Sequence, residues 1–319
     1  MSPPTSPPPS PQPFPIPWNE MPLQAKEAIV QTMDLKTRIN MRQTSYNIRF
    51  ELDEMKLDLH QFCISLGSSE CVLVTWRTEH GESSQYFRRF ISFFELFIAI
   101  FSTRKLTIQV FLVDFEDRKE RKHLASDEEM MMFLINIQQV FAFRREKVHV
   151  QRFCMALKSK EEQLLTFLPF LEPGVLEHIE LGSNYPMILR MDTVCLLDQW
   201  RMARGVNMYQ IIACLNIRDF WNFHFCHVSI PRLSLDDITL LVNHYQRLPV
   251  VFSCIWTPQA NPAVVERILG FEPGNEEQRK IPKRLSPNLF VCVGKQRLVF
   301  MNAEKKEHFD HILPTSVFN

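Results

Sequence analysis

From residue 106 onward the chain switches repeatedly between two hydrophobic periods, and this switching leaves few architectures open to it. Alternating apolar residues over strand length mark 106–115, 148–157, 175–181, 206–212, 222–230 and 250–256, with final strands at 289–293 and 298–301. Between them lie stretches with helical spacing at 161–167, 188–203 and 262–269. Two further helices carry their own start signal. In Ser126-Asp127-Glu128-Glu129 and Ser234-Leu235-Asp236-Asp237 an N-terminal serine is followed three residues later by an acid. That is a capping box, in which each side chain satisfies the other's unpaired backbone N–H. Alternation of this kind predicts a parallel sheet with helices on its outer side, an α/β class.

The strand–helix units recur roughly every 25–30 residues, which is the scale of leucine-rich repeats. The strict L-x-x-L-x-L-x-x-N/C-x-L signature is absent, so a compact α/β domain stands as the alternative. Upstream, Leu57, Leu59, Phe62 and Ile64 with Val72, Val74 and Trp76 predict a hairpin turning at Gly67-Ser68-Ser69. Phe90, Phe93, Phe94, Phe97, Ile98 and Phe101 fall on one helical stripe, best read as a core face. The chain has 26 phenylalanines, and that much aromatic area demands a large core. Residues 18–56 read as a compact helical unit opened by Met21-Pro22, because proline is tolerated in a first turn. Ala25, Ile29 and Met33 recur there at four-residue spacing, and Asp34 is placed to cap a second helix through Leu35, Ile39 and Met41. Residues 1–17 include nine prolines among Ser, Thr and Gln and read as a solvated, disordered tail, with an SH3 or WW ligand as the lesser reading.

Charge narrows function. Lys+Arg and Asp+Glu are 36 each, so no net field draws the chain to nucleic acid or anionic lipid. Arg118–Lys122 and Arg279–Arg284 are short basic clusters with acids beside them, read as solvated loops. The eight cysteines are scattered without a C-x-x-C, as expected of buried thiols in a reducing compartment. The N-terminus lacks the basic and apolar segments of a signal peptide. The longest apolar run, 90–101, is interrupted by Glu95 and falls short of the roughly 20 residues a bilayer span needs. The expected location is cytoplasmic or nuclear, away from membranes. No nucleotide-binding glycine loop, nucleophile elbow or zinc-protease motif occurs, so no catalytic residue and no cofactor is assigned. His224-Phe225-Cys226-His227 invites a metal reading, but on a strand His227 points away from the other two, and no metal site is assigned.

Two stretches resemble known modules. Trp18-Asn19-Glu20-Met21-Pro22 through Arg38-Ile39-Asn40-Met41-Arg42 and Ser45 to Arg49 resembles an F-box, with Met21 in place of the usual Leu and Ser45-Tyr46-Asn47 in place of the Cys-Arg segment. The run Phe167 to Leu181 resembles the opening of an FTH domain. Met191-Asp192-Thr193-Val194, Asp198-Gln199-Trp200-Arg201-Met202-Ala203-Arg204, Asn222-Phe223-His224-Phe225 and Ser234 to Ile238 follow in that domain's order. Together they look like the F-box A family of nematodes. The resemblance implies an F-box at 18–56, a connecting strand–helix region at 57–157, an FTH domain at 158–301 and a C-terminal tail at 302–319.

It also implies a non-catalytic substrate receptor of an SCF-type ubiquitin ligase. Such a receptor has a Skp-type adaptor and a cullin complex as partners, and a protein target that the sequence does not name. The adaptor face implied by the family comprises Pro22, Ile29, Val30, Met33, Leu35, Ile39 and Met41. The alternatives are an interaction scaffold that no longer binds adaptor and, third, an enzyme. Gln199 and Trp200 are read as structural, Trp200 filling the gap between helix and sheet and Gln199 satisfying a loop carbonyl.

Overall fold

The computed structural model describes residues 16–67, 71–115, 125–158, 160–231, 233–245, 251–256, 262–272, 283–286, 289–293 and 297–302. The proline-rich stretch 1–15, the tip of the first hairpin, the basic cluster at 118–122, most of that at 279–284 and residues 303–319 lie outside them. Three short helices come first: α1 (Leu23–Thr32), α2 (Leu35–Arg42) and α3 (Tyr46–Glu54). A meander follows, β1 (Leu57–Leu66), β2 (Val72–Thr78) and β3 (Gly81–Phe87), and then α4 (Phe90–Phe101). Strand and helix then alternate through β4 (Leu106–Asp114), α5 (Asp127–Ala142), β5 (His149–Ala156), α6 (Glu162–Leu165), β6 (His178–Arg190), α7 (Asp198–Met202) and β7 (Gly205–Cys214). The series ends with β8 (Phe225–Ile230), α8 (Leu235–Tyr245), β9 (Val251–Trp256), α9 (Pro262–Ile268), β10 (Lys283–Ser286), β11 (Leu289–Val293) and β12 (Arg297–Asn302).

All the strands belong to one sheet, ordered β10-β11-β12-β9-β8-β7-β6-β5-β4-β1-β2-β3. From β1 through β4 to β9 each strand is parallel to its neighbour and follows it in sequence. Crossovers of one hand that always step the same way stack their helices on one face of the sheet. The class is α/β, a helical unit followed by a repeat-like sheet. The sheet runs without a break across the expected boundary at 157/158, since β5 and β6 pair directly.

The register explains the phenylalanines. Phe62, Phe111, Phe153, Ile179, Val206 and Cys226 stand side by side on successive strands and form a buried row beneath the helices. The α4 stripe sits over this row: Phe97 stacks on Phe101 at 4.1 Å, and Phe101 lies 5.7 Å edge-on from Phe62. Phe141 of α5 and Phe167 continue the cluster. Aromatic rings preferring edge and offset contacts can fill a wide gap of this kind with few voids. The opposite face of the sheet carries Cys63, Leu112, Cys154, Glu180, Asn207 and His227, all of them partly exposed.

Three expectations are corrected. A helix at 188–203 does not form: residues through Arg190 extend β6, and only Asp198–Met202 is α-helical, preceded by a single 3-10 turn. Strand β3 was not foreseen, because Gly81-Glu82-Ser83-Ser84-Gln85 lacks the apolar alternation that marks a buried strand. The N-terminal unit holds a third helix, capped by Ser45, whose hydroxyl accepts from the Ile48 N–H at 3.2 Å.

Candidate functional site: the N-terminal helical unit

Pro22 precedes α1 with an extended backbone, and the helix ends where Met33 turns extended (ψ 138°). The turn frees Asp34 to cap α2, accepting from the Thr37 N–H at 2.9 Å and its hydroxyl at 2.7 Å. These hydrogen bonds hold the Asp34 carboxyl below its usual pKa. The stripe expected through Ala25, Ile29 and Met33 therefore stops at Ile29. Met33 lies outside the helix and packs on the unit's own small core.

That core is Val30, Leu52 and Met55, with Trp18, Met33, Met41 and Ile48 against it. So few apolar side chains hold three helices only with polar ties. Arg38 is buried and donates to the carbonyls of Lys56, Leu52 and Met55 at 2.7, 2.7 and 2.8 Å, closing the C-terminus of α3. Burial lowers its pKa to about 10, offset in part by Asp53 and Asp58, so it stays charged at neutral pH. Arg42 forks onto Asp53 at 2.7 and 2.9 Å. Glu51 takes both the Trp18 indole N–H, at 2.7 Å, and the Lys26 ammonium, at 3.0 Å.

The unit is also joined to the sheet. Leu35 belongs to the main core and Ile39 packs against it. The Arg104 N–H donates to the Asp53 carbonyl at 2.8 Å, and His80 meets the Gln31 carbonyl at 2.7 Å. Of the seven residues implied as the adaptor face, Val30 and Leu35 are thus fully buried inside the chain, and Met33, Ile39 and Met41 are partly buried. Pro22 and Ile29 are exposed.

The large apolar side chains exposed on the unit are Leu23 (58%), Ile29 (37%), Tyr46 (76%) and Phe50 (55%). Tyr46 and Phe50 are four apart and share one face of α3, opposite Ile48 and Leu52, which face the core. Sequence reasoning missed them. The signal was present: Ile48, Leu52 and Met55 form the inward period, which leaves Tyr46 and Phe50 pointing out.

Beneath α7, Trp200 is fully buried against Phe223 at 5.0 Å, and its indole N–H donates to the Asp219 carbonyl at 3.0 Å. Gln199, also buried, donates to the Pro169 and Leu171 carbonyls at 3.2 and 2.7 Å. Both residues therefore hold loops to the fold. On the open face of the sheet, burial and the neighbouring Glu180 push the Cys154 thiol up to about 12, so it is protonated at neutral pH and a poor nucleophile. In the 224–227 run Cys226 is buried in the core while His227 lies on the open face, 5.8 Å from the Tyr209 ring. Among the described residues no group of three His, Cys, Asp or Glu side chains is placed to hold a metal, and no helix is long and apolar enough to cross a membrane.

Residues 132–272 match the FTH domain, a span that begins inside α5, upstream of the expected start at 158. The chain is 21% identical over 257 residues to F-box A protein 224 of Caenorhabditis elegans, covering 76% of this chain and 65% of that protein's length. No solved structure matches. Residues 132–272 thus carry a match to the FTH domain, and the chain as a whole is similar to an F-box A protein.

Proposed function

We propose that this chain is the substrate receptor of an SCF-type ubiquitin ligase. Its N-terminal unit would dock on a Skp-type adaptor, and its FTH-containing sheet would hold a protein target. One observation carries the reading. The helical unit has closed its own core and still presents Leu23, Ile29, Tyr46 and Phe50 to solvent. Apolar and aromatic anchors of this kind dominate helix-mediated interfaces. The chain itself is non-catalytic in this reading. The ligation chemistry belongs to other subunits, and the receptor contributes proximity by raising the target's effective concentration at the charged enzyme.

The test is a pull-down of a Skp-type adaptor with the wild-type chain and with Ile29→Asp/Phe50→Asp, alongside circular dichroism. Both sites are exposed, so the variant should stay folded. Two charges in a desolvated interface should reduce adaptor binding at least about tenfold. A folded variant that binds as wild type does, or a wild type that binds no adaptor, would overturn the reading in favour of a scaffold that acts without a ligase.

A further inference from the structure

Strand β3 ends one side of the sheet. It pairs with β2 over all of Gly81–Phe87 without a register shift, and no strand among the described residues takes its other edge. All its residues but Phe87 are exposed. Natural edge strands are usually shielded from further pairing by proline, bulges, short length, lysines or a covering segment. Within β3 there is no proline, no bulge and no lysine. Its one charged residue, Glu82, is held by Arg77 of β2 at 2.6 Å.

Charge is arranged along this edge. Glu79 stands at one end, beside the Glu82–Arg77 ion pair, Arg88 and Arg89 stand at the other, and Ser83, Ser84 and Gln85 lie between them. Glu79, Arg88 and Arg89 are all exposed. We propose that β3 is a self-association edge, on which a second copy of this chain adds its own β3 antiparallel about Ser84. In that register Ser84 faces Ser84 and Glu82 faces Tyr86. The Glu79 end of each copy meets the Arg88-Arg89 end of the other, twice over. Parallel pairing would instead set like charges together, which disfavours it. The bonding groups are backbone N–H and C=O, and the apolar area is small, so the association is concentration- and salt-dependent.

Sedimentation velocity on the full chain tests this at low salt, at concentrations rising to about 200 µM, where screening is least. Wild type should form dimers, with protection of the β3 amides from hydrogen exchange. Ser84→Lys sets two ammonium groups across the axis at a site exposed in the monomer, and should weaken the dimer at least about tenfold. A chain with Arg88→Glu and Arg89→Glu should be monomeric, as should one with Glu79→Arg, while a mixture of the two dimerises because every end is again opposed by opposite charge. The proposal fails if wild type stays monomeric, if Ser84→Lys self-associates as wild type does, if dimers leave β3 unprotected, or if the swapped chains associate no better mixed than alone. None of these outcomes depends on adaptor binding.

Discussion

The guanidinium of Arg38 sits 2.7 Å from the carbonyl oxygen of Leu52, so a buried cation on α2 terminates α3. The same group also reaches the Lys56 and Met55 carbonyls. Arg38→Met would keep much of the volume and leave buried carbonyls without a donor. We expect a loss of about 3 kcal/mol in urea unfolding, because unsatisfied buried acceptors carry their full desolvation cost. Arg38→Lys should rescue only part of this, since an ammonium cannot reproduce the planar fork. A loss under about 1 kcal/mol for the methionine variant would show that water replaces the guanidinium.

Trp200 combines complete burial with a satisfied indole N–H. Trp200→Ala should destabilise by about 3–5 kcal/mol. Trp200→Phe keeps most of the ring area but leaves the Asp219 carbonyl without its donor, so it should cost less, about 1–2 kcal/mol. Equal costs for the two variants would mean that the hydrogen bond, and not the packing, dominates.

His178 lies over Gly205 on the neighbouring strand, and a Cβ at that glycine would come within 2.3 Å of the His178 Nδ1. Gly205→Ala should therefore rotate the imidazole out into solvent. Burial, and then the nearby Arg152, hold the His178 pKa below its ordinary 6.5. As pH falls past 6.5 the unfolded chain takes up the proton first, so in wild type this residue removes stability on acidification. In Gly205→Ala the imidazole resonance should titrate closer to 6.5, and that share of the acid sensitivity should disappear. An unchanged titration curve would show that the ring keeps its place and the backbone gives way instead.

Much of the fold was legible locally. The α4 stripe through Phe93, Phe97 and Phe101 and the Ser126–Glu129 capping box act within a few residues of one another, so spacing identifies them, although Ile98, expected on that stripe, is exposed and Leu96 and Ile100 are buried instead. Gln199 and Trp200 were also readable, as a large ring and an amide that must find partners once buried. Where local signals conflict, the reading failed. Ile188 and Leu189 fit either period, and only pairing with Ile212 and Ala213 of β7 makes them strand.

By itself the sequence determined the class, the alternation of strand and helix, and the size of the aromatic core, because these follow from period and composition. Tertiary structure decided which apolar residues of the N-terminal unit face outward. Val30 and Ile29 are adjacent, and Ile29 is the more hydrophobic of the two by one methylene. Val30 meets Leu52 and Met55 and is buried, while Ile29, one helical position away, meets solvent. A strand such as β3 is recorded even less in its own residues. Its polar run needs no alternation because it buries almost nothing, and it becomes a strand only because β2 supplies the ladder beside it.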